Sequence, residues 1–309
     1  DIRFFYDELG KNQFFKIKGR IKGPLNNLVL SNFKLNDSKN SQINGTLNFK
    51  NLFPSKGKEF FMNARFNRLS TNYDDLVTIL PNVLGKTLPV ILKKLGTINF
   101  VGDAQVTTTS LDASFAMSSQ IGNVKSDLIL KNMDLTDKAS YVGNVVLDNF
   151  DIGAFVDRKD IGKTSLNLDV NGKGFSEKSL NTSLKGIVNS ITFNNYTYSN
   201  IDLNGNFVSG LYKGQVKAND PNLKMYFDGF VDLSKKSNIY NFQINVENAN
   251  LKKLNFVKDN ISKFEGDINV DLSGNTIDNL VGDVFVKHAT YHNTKATYSI
   301  DEFYINSAF

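Results

Sequence analysis

Few side chains in this sequence are equipped for chemistry. The only histidines are His288 and His292. A spacing of four along a strand puts both on one side, which is the start of a metal pair. No third ligand completes it: cysteine is absent, and no Asp or Glu stands at a clear ligand position. The pair therefore reads as two surface rings. Gly172-Lys173-Gly174 follows one alternating run and precedes another, so no helix N-terminus is offered to a phosphate. Neither a Gly-x-Ser-x-Gly elbow nor a P-loop is present. Glycosylation-type triplets begin at Asn44, Asn181, Asn195 and Asn260, as chance alone produces in an Asn-rich chain. The carboxylates fall mostly on polar strand faces and in turns. The expectation is a protein that is not an enzyme and holds no metal or cofactor.

What the sequence does carry is a repeated phrase. Phe15-Lys16-Ile17-Lys18-Gly19-Arg20-Ile21 alternates apolar and polar residues around a glycine. Ile43-Asn44-Gly45-Thr46-Leu47 repeats it, as do Ile201-Asp202-Leu203-Asn204-Gly205-Asn206-Phe207 and Phe264-Glu265-Gly266-Asp267-Ile268. Period two makes a strand with one apolar and one polar face. Copies of that unit along 309 residues predict a mainly β protein, an elongated, curled antiparallel sheet trough. Glycine inside a strand marks a bend or bulge, which is the source of the curl. Short turns such as Ser209-Gly210, Asn219-Asp220-Pro221-Asn222 and Gly274-Asn275 join antiparallel neighbours and align their apolar faces.

One segment breaks the alternation. Ser70-Thr71-Asn72 offers helix N-caps, Asp74 and Asp75 suit a first turn, and Pro81 ends the helix. A second short helix is expected over Leu88–Leu95 with Gly96 beyond its end. The predicted organisation is sheet repeats over 1–69, a helical insertion over 70–96, and the same sheet over 97–309. Short helical turns are expected near Asp151–Phe155 and Leu251–Phe256.

Net charge is +5, with lysines spread along polar faces, which argues against a nucleic-acid partner and leaves attraction to anionic headgroups open. No apolar run reaches the ~18 residues of a membrane span. The chain opens at Asp1 and stops within an alternating run, so it reads as an internal stretch of a longer polypeptide.

A wide sheet with one apolar face must cover that face or offer it to an apolar ligand. The candidate lining begins with Leu166, Leu168, Val170, Leu203 and Phe207. It continues through Met225, Phe227, Val231, Leu233 and Ile244, and then Ile268, Val270 and Leu272. From the residues alone, ordinary packing on an opposing sheet explains them equally well. An outer-membrane barrel would need span-length strands and aromatic girdles, and tryptophan is absent. A strict solenoid would need a fixed period, and the spacing is irregular.

Residues 161–309 resemble the AsmA-like/TamB family in its Bacteroidota form. The likeness is carried by Leu168-Asp169-Val170-Asn171-Gly172-Lys173-Gly174-Phe175, Leu180-Asn181-Thr182-Ser183-Leu184-Lys185-Gly186 and Ala218-Asn219-Asp220-Pro221-Asn222-Leu223. The earlier half is similar more loosely, through Leu80-Pro81, Leu88-Pro89 and Leu95-Gly96. The resemblance implies a periplasmic protein of a Gram-negative bacterium, anchored in the inner membrane by a segment outside this stretch. It implies an apolar groove that conducts phospholipid acyl chains to the outer membrane, where a TamA-type barrel is the partner. A structural or chaperone subunit for outer-membrane protein insertion, or an elongated β adhesin or scaffold, remain the alternatives.

Overall fold

The computed structural model describes residues 14–39, 41–52, 57–79, 90–176, 178–258 and 261–307. The protein is mainly β, and its sheet structure is antiparallel and open rather than closed into a barrel. The contacts divide the chain into two compact units, residues 1–159 and 160–309.

The first unit contains β1 (Phe15–Lys22), β2 (Asn27–Asp37), β3 (Gln42–Lys50) and β4 (Phe61–Asn72). It goes on with β5 (Thr97–Thr107), β6 (Ser110–Ser119), β7 (Gly122–Lys131) and β8 (Ser140–Asp151). Each strand pairs antiparallel with the next, a plain meander. One rung crosses it with a large–small alternation. Phe33 stands opposite Gly45, Gly45 opposite Phe66, Phe66 opposite Gly102, and Gly102 opposite Phe115. Each ring spreads over its glycine neighbours, where no side chain competes for the space. The rings themselves touch: Phe66 meets Phe100 edge-on at 5.7 Å, and Phe100 stacks on Phe115 at 5.0 Å.

Short helices gather where β4 ends and β5 begins. Helix α1 (Tyr73–Ile79) is capped by Asn72, whose Oδ1 accepts from the Asp75 N–H at 2.9 Å. Its expected stop at Pro81 lies outside the described residues. The second expected helix is a 3₁₀ turn, Val90–Leu95, and Gly96 takes the left-handed conformation (φ +65°) predicted for its end. Helix α2 (Ile152–Val156) follows β8, with the Asp151 carboxylate accepting from the Ala154 N–H at 2.8 Å. Lys94 ties the 3₁₀ turn to α2, donating to the Phe155 carbonyl at 2.9 Å.

The second unit contains β9 (Ile161–Lys173), β10 (Asn181–Phe193), β11 (Tyr196–Val208), β12 (Leu211–Asp220) and β13 (Leu223–Asp232). It ends with β14 (Ile239–Asn250), β15 (Ser262–Ser273), β16 (Val281–Asn293) and β17 (Thr297–Ser307). This too is an antiparallel meander. Its tight turns use left-handed residues: Asn194 and Asn195 (φ +47° and +63°) between β10 and β11, and Ser209-Gly210 (φ +48° and +90°) after β11. Two-residue turns with positive φ match the twist of the strands they join. The expected helical turn at 251–256 is a turn closed by the Leu254 N–H to the Asn250 carbonyl at 3.0 Å.

Bulges interrupt both meanders. In β2 the pairing slips between Leu30 and Phe33, with Asn32 left-handed at φ +50°. In β15–β16 it slips opposite His288, at φ +46°. An extra residue on one strand bends it and raises the local twist.

Candidate functional site

Four rungs of side chains run across the apolar face of the second unit. On the first, Leu166 faces Val188, then Ile201, Ala218, Met225 and Val246 follow in register. The second joins Leu168, Gly186, Leu203, Val216 and Phe227, and continues through Ile244, Ile268, Val286 and Phe303. On the third, Val170 and Leu184 lead to three successive glycines, Gly205, Gly214 and Gly229. Phe242, Val270 and Val284 complete it. The fourth carries Phe207, Tyr212, Val231, Tyr240 and Leu272. The opposite parity is mostly polar and solvent-facing, as at Asn167, Asp169, Asn204 and Asp228, with Ile187, Tyr226 and Tyr304 exposed among them.

Twelve of the thirteen residues singled out in the sequence lie on these rungs. Leu233 does not: β13 ends at Asp232, and Leu233 is 57% exposed. The reason is local. Asp232 pairs with Leu211 and Ile239, the first residues of β12 and β14, so Leu233 lies beyond both neighbours, its N–H bonded to the Gly210 carbonyl in the turn at 3.0 Å. The sequence reading missed Val216, Phe242, Val284 and Val286, which share this face and whose alternation was the signal that could have found them.

The glycine rung is covered from the side. Tyr212 lies against Gly205 and Gly214, and its hydroxyl donates to the Gln215 carbonyl at 3.1 Å. The Phe242 ring shields Gly229 and sits 5.2 Å from Phe227. Burial pushes the Tyr212 hydroxyl above its ordinary pKa. Side-by-side packing buries Leu166, Leu168 and Phe227, while most other members of the four rungs remain half-exposed.

One end of the face has a small closed core. Leu254, in the turn after β14, is 1% exposed and packs with Tyr198, Val246 and Ala249. Nearby, the Asp220 carboxylate ties the β12–β13 turn to β11. It accepts from the Tyr196 hydroxyl at 2.5 Å, the Ser199 N–H at 2.9 Å, the Ser199 hydroxyl at 2.8 Å and the Asn222 N–H at 2.8 Å. Burial raises the Asp220 pKa, but these donors outweigh it and hold the carboxyl below its usual value. Within the second unit the strands of this face make their closest backbone contacts with their neighbours in the meander.

The two histidines have separate partners. His288 Nδ1 is 3.3 Å from Asp267 Oδ2, whereas His292 Nδ1 contacts the Thr297 hydroxyl at 2.7 Å. Among the described residues, no group of three or more His, Asp or Glu is placed to hold a metal ion. Likewise, no helix there is long and apolar enough to cross a membrane. The triplets at Asn44 and Asn181 lie within β3 and β10, that at Asn195 lies in a turn, and Asn260 is outside the described residues. Comparison of the chain with family models, with curated proteins and with solved structures finds no match in any of the three.

Proposed function

We propose that this protein is a lipid-transfer bridge whose apolar sheet face carries phospholipid acyl chains. The observation that carries the reading is the rung from Leu168 to Phe303, one unbroken apolar or glycine row over nine consecutive strands. Nine strands at ~4.8 Å spacing give a row of roughly 40 Å. A lipid tail fills only about half of the ~30 Å hydrocarbon core, so the row is longer than one tail. That suits a path better than a pocket for a single ligand.

The physics needs no reactive group. Each methylene of a tail drawn into water costs ~0.8 kcal/mol, and contact with an apolar rung removes most of that cost. The charged headgroup stays in solvent. The resemblance to the AsmA-like/TamB family supports the same reading. It extends the proposal to the periplasm, to an inner-membrane anchor outside this stretch, and to a TamA-type barrel at the outer membrane.

Site-specific photocrosslinking in cells tests it. Probes at Leu168, Phe227 and Val270 should yield phospholipid adducts, and probes at Asp169, Asp228 and Asp271 should not. Adducts at neither set, with the apolar positions crosslinking within the protein, would replace the conduit with a self-packed scaffold.

A further inference from the structure

The polar face of β1–β4 differs from the polar face of the second unit in how its charges are arranged. In the second unit three lysines stand opposite carboxylates. Lys185 faces Asp169, Lys217 faces Asp202, and Lys287 faces Asp267 on one side and Glu302 on the other. Across β1–β2 like charges meet, whereas Arg65 on β4 is paired with Asp103 of β5 at 2.8 Å. Lys18 stands directly opposite Lys34, Lys34 faces Asn44, and Asn44 faces Arg68. Lys16, Arg20 and Lys22 add to the same face on β1. The sole carboxylate within these four strands is Asp37, which already accepts from the Lys39 and Ser41 N–H groups. None of Lys18, Arg20, Lys34 and Arg68 has an ion-pair partner among the described residues.

Like charges directly opposite one another destabilise a sheet. A lysine on an edge strand has a separate explanation, since it blocks pairing with another chain. That explanation does not reach Lys34 or Arg68, because β2 and β4 are paired on both sides. The cations also surround an open concavity of about 430 Å³, lined by Lys18, Gly19, Arg20, Asn32 and Lys34. The β1–β2 register shifts here, between Lys18 and Arg20, opposite the left-handed Asn32.

We infer that the polar face of β1–β4 docks on an anionic membrane surface, with lipid phosphate groups bridging the Lys18, Arg20 and Lys34 cations. Charge complementarity selects an anion, and breadth selects a membrane. The rung from Lys18 to Arg68 crosses three strand spacings, roughly 14 Å, which is wider than one phosphate group. This surface shares no residue with the acyl-chain rungs, so its role goes beyond acyl-chain transfer and stands or falls separately.

Flotation of the full chain with phosphatidylcholine vesicles, with and without phosphatidylglycerol, tests the inference. Binding should require phosphatidylglycerol and weaken sharply between about 0.05 and 0.5 M salt. Each cation near an anionic surface is worth about fivefold, so K18Q/R20Q/K34Q should lose roughly 100-fold in affinity. K185Q/K217Q/K287Q, which removes the same charge from the second unit, should bind within about threefold of the parent. The melting midpoint of the β1–β2 triple variant should hold or rise, because repulsion is relieved. If that variant does not fold, Lys34→Gln alone should still lose about fivefold. Unchanged binding by a folded variant overturns the inference. So does displacement by millimolar inorganic phosphate at constant ionic strength, which would make the concavity a free-phosphate site, or tighter binding to duplex DNA than to the anionic vesicles. Photocrosslinks at Leu168, Phe227 and Val270 should be unaffected by these substitutions, which separates this failure from failure of the conduit.

Discussion

Phe115 lies so close to Gly102 across β5–β6 that a Cβ built on Gly102 would sit 2.8 Å from the Phe115 Cβ. It would also sit 2.3 Å from the Ser114 carbonyl oxygen. The glycine thus gives the Phe115 ring its place in the large–small rung, and that ring in turn stacks on Phe100. Such a rung lets a single sheet bury much of its aromatic area by lateral packing.

Gly102→Ala should therefore be costly. The backbone at Gly102 is at φ +152°, and the clashing atoms include main chain that cannot swing aside. A loss of about 2–4 kcal/mol is expected from strain and overpacking together. Gly162→Ala is the comparison, because the nearest atom there is the Thr192 Cβ at 3.2 Å. It should cost less than about 1 kcal/mol. Urea midpoints of the two variants measure the difference.

Asp220 predicts an acid limb in stability. Its folded carboxyl holds a proton less tightly than the unfolded chain does, because four donors favour the charged form. Its contribution is complete above about pH 4 and is withdrawn as pH falls through the depressed folded value. Asp220→Asn should cost about 2–3 kcal/mol at neutral pH, since it sets an amide against donors that need an acceptor. The variant should also show a shallower fall in stability below pH 4 than the parent. Thermal melts across an acid pH series would reveal both effects, and equal slopes would refute the assignment.

The bulge in β2 makes a smaller prediction. Asn32 is left-handed, a conformation Asn tolerates and β-branched residues resist. Asn32→Gly should be neutral within about 0.5 kcal/mol, whereas Asn32→Val should cost about 1–2 kcal/mol. Because this bulge also sets the register that brings Lys18 opposite Lys34, Asn32→Val should weaken vesicle binding as well. Chemical denaturation and flotation on the same preparations would test the link.

Much of the fold is legible residue by residue. Leu166, Leu168 and Val170 alternate with Asn167, Asp169 and Asn171, and they occupy opposite faces of β9 as period two requires. The caps at Asn72 and Asp151 and the left-handed Gly96 follow from local chemistry alone. Leu233 keeps the apolar parity but stands one residue past the last pair of β13, a limit that strand ends set and alternation does not show. The Asn194-Asn195 turn was readable from two adjacent residues that accept positive φ. What period two cannot give is lateral register. That Lys18 meets Lys34 rather than Asn36 depends on turn length and on the slip at Asn32, and both are set by pairing. The basic patch was therefore invisible as a cluster, though every one of its residues was in view.

The apolar face makes the sharpest energetic contrast. Leu254 is enclosed by Tyr198, Val246 and Ala249, so Leu254→Ala leaves a cavity and should cost about 2–4 kcal/mol. Ile268 sits mid-rung between Ile244 and Val286 and is only half-buried. Truncating it removes partial burial and opens no enclosed void, so Ile268→Ala should cost about 1 kcal/mol. Ile268→Gln should be similarly mild for stability yet should abolish lipid adducts at neighbouring probes. If Ile268→Ala instead costs as much as Leu254→Ala, the rung is a covered core. A covered core leaves no path for a lipid tail along it.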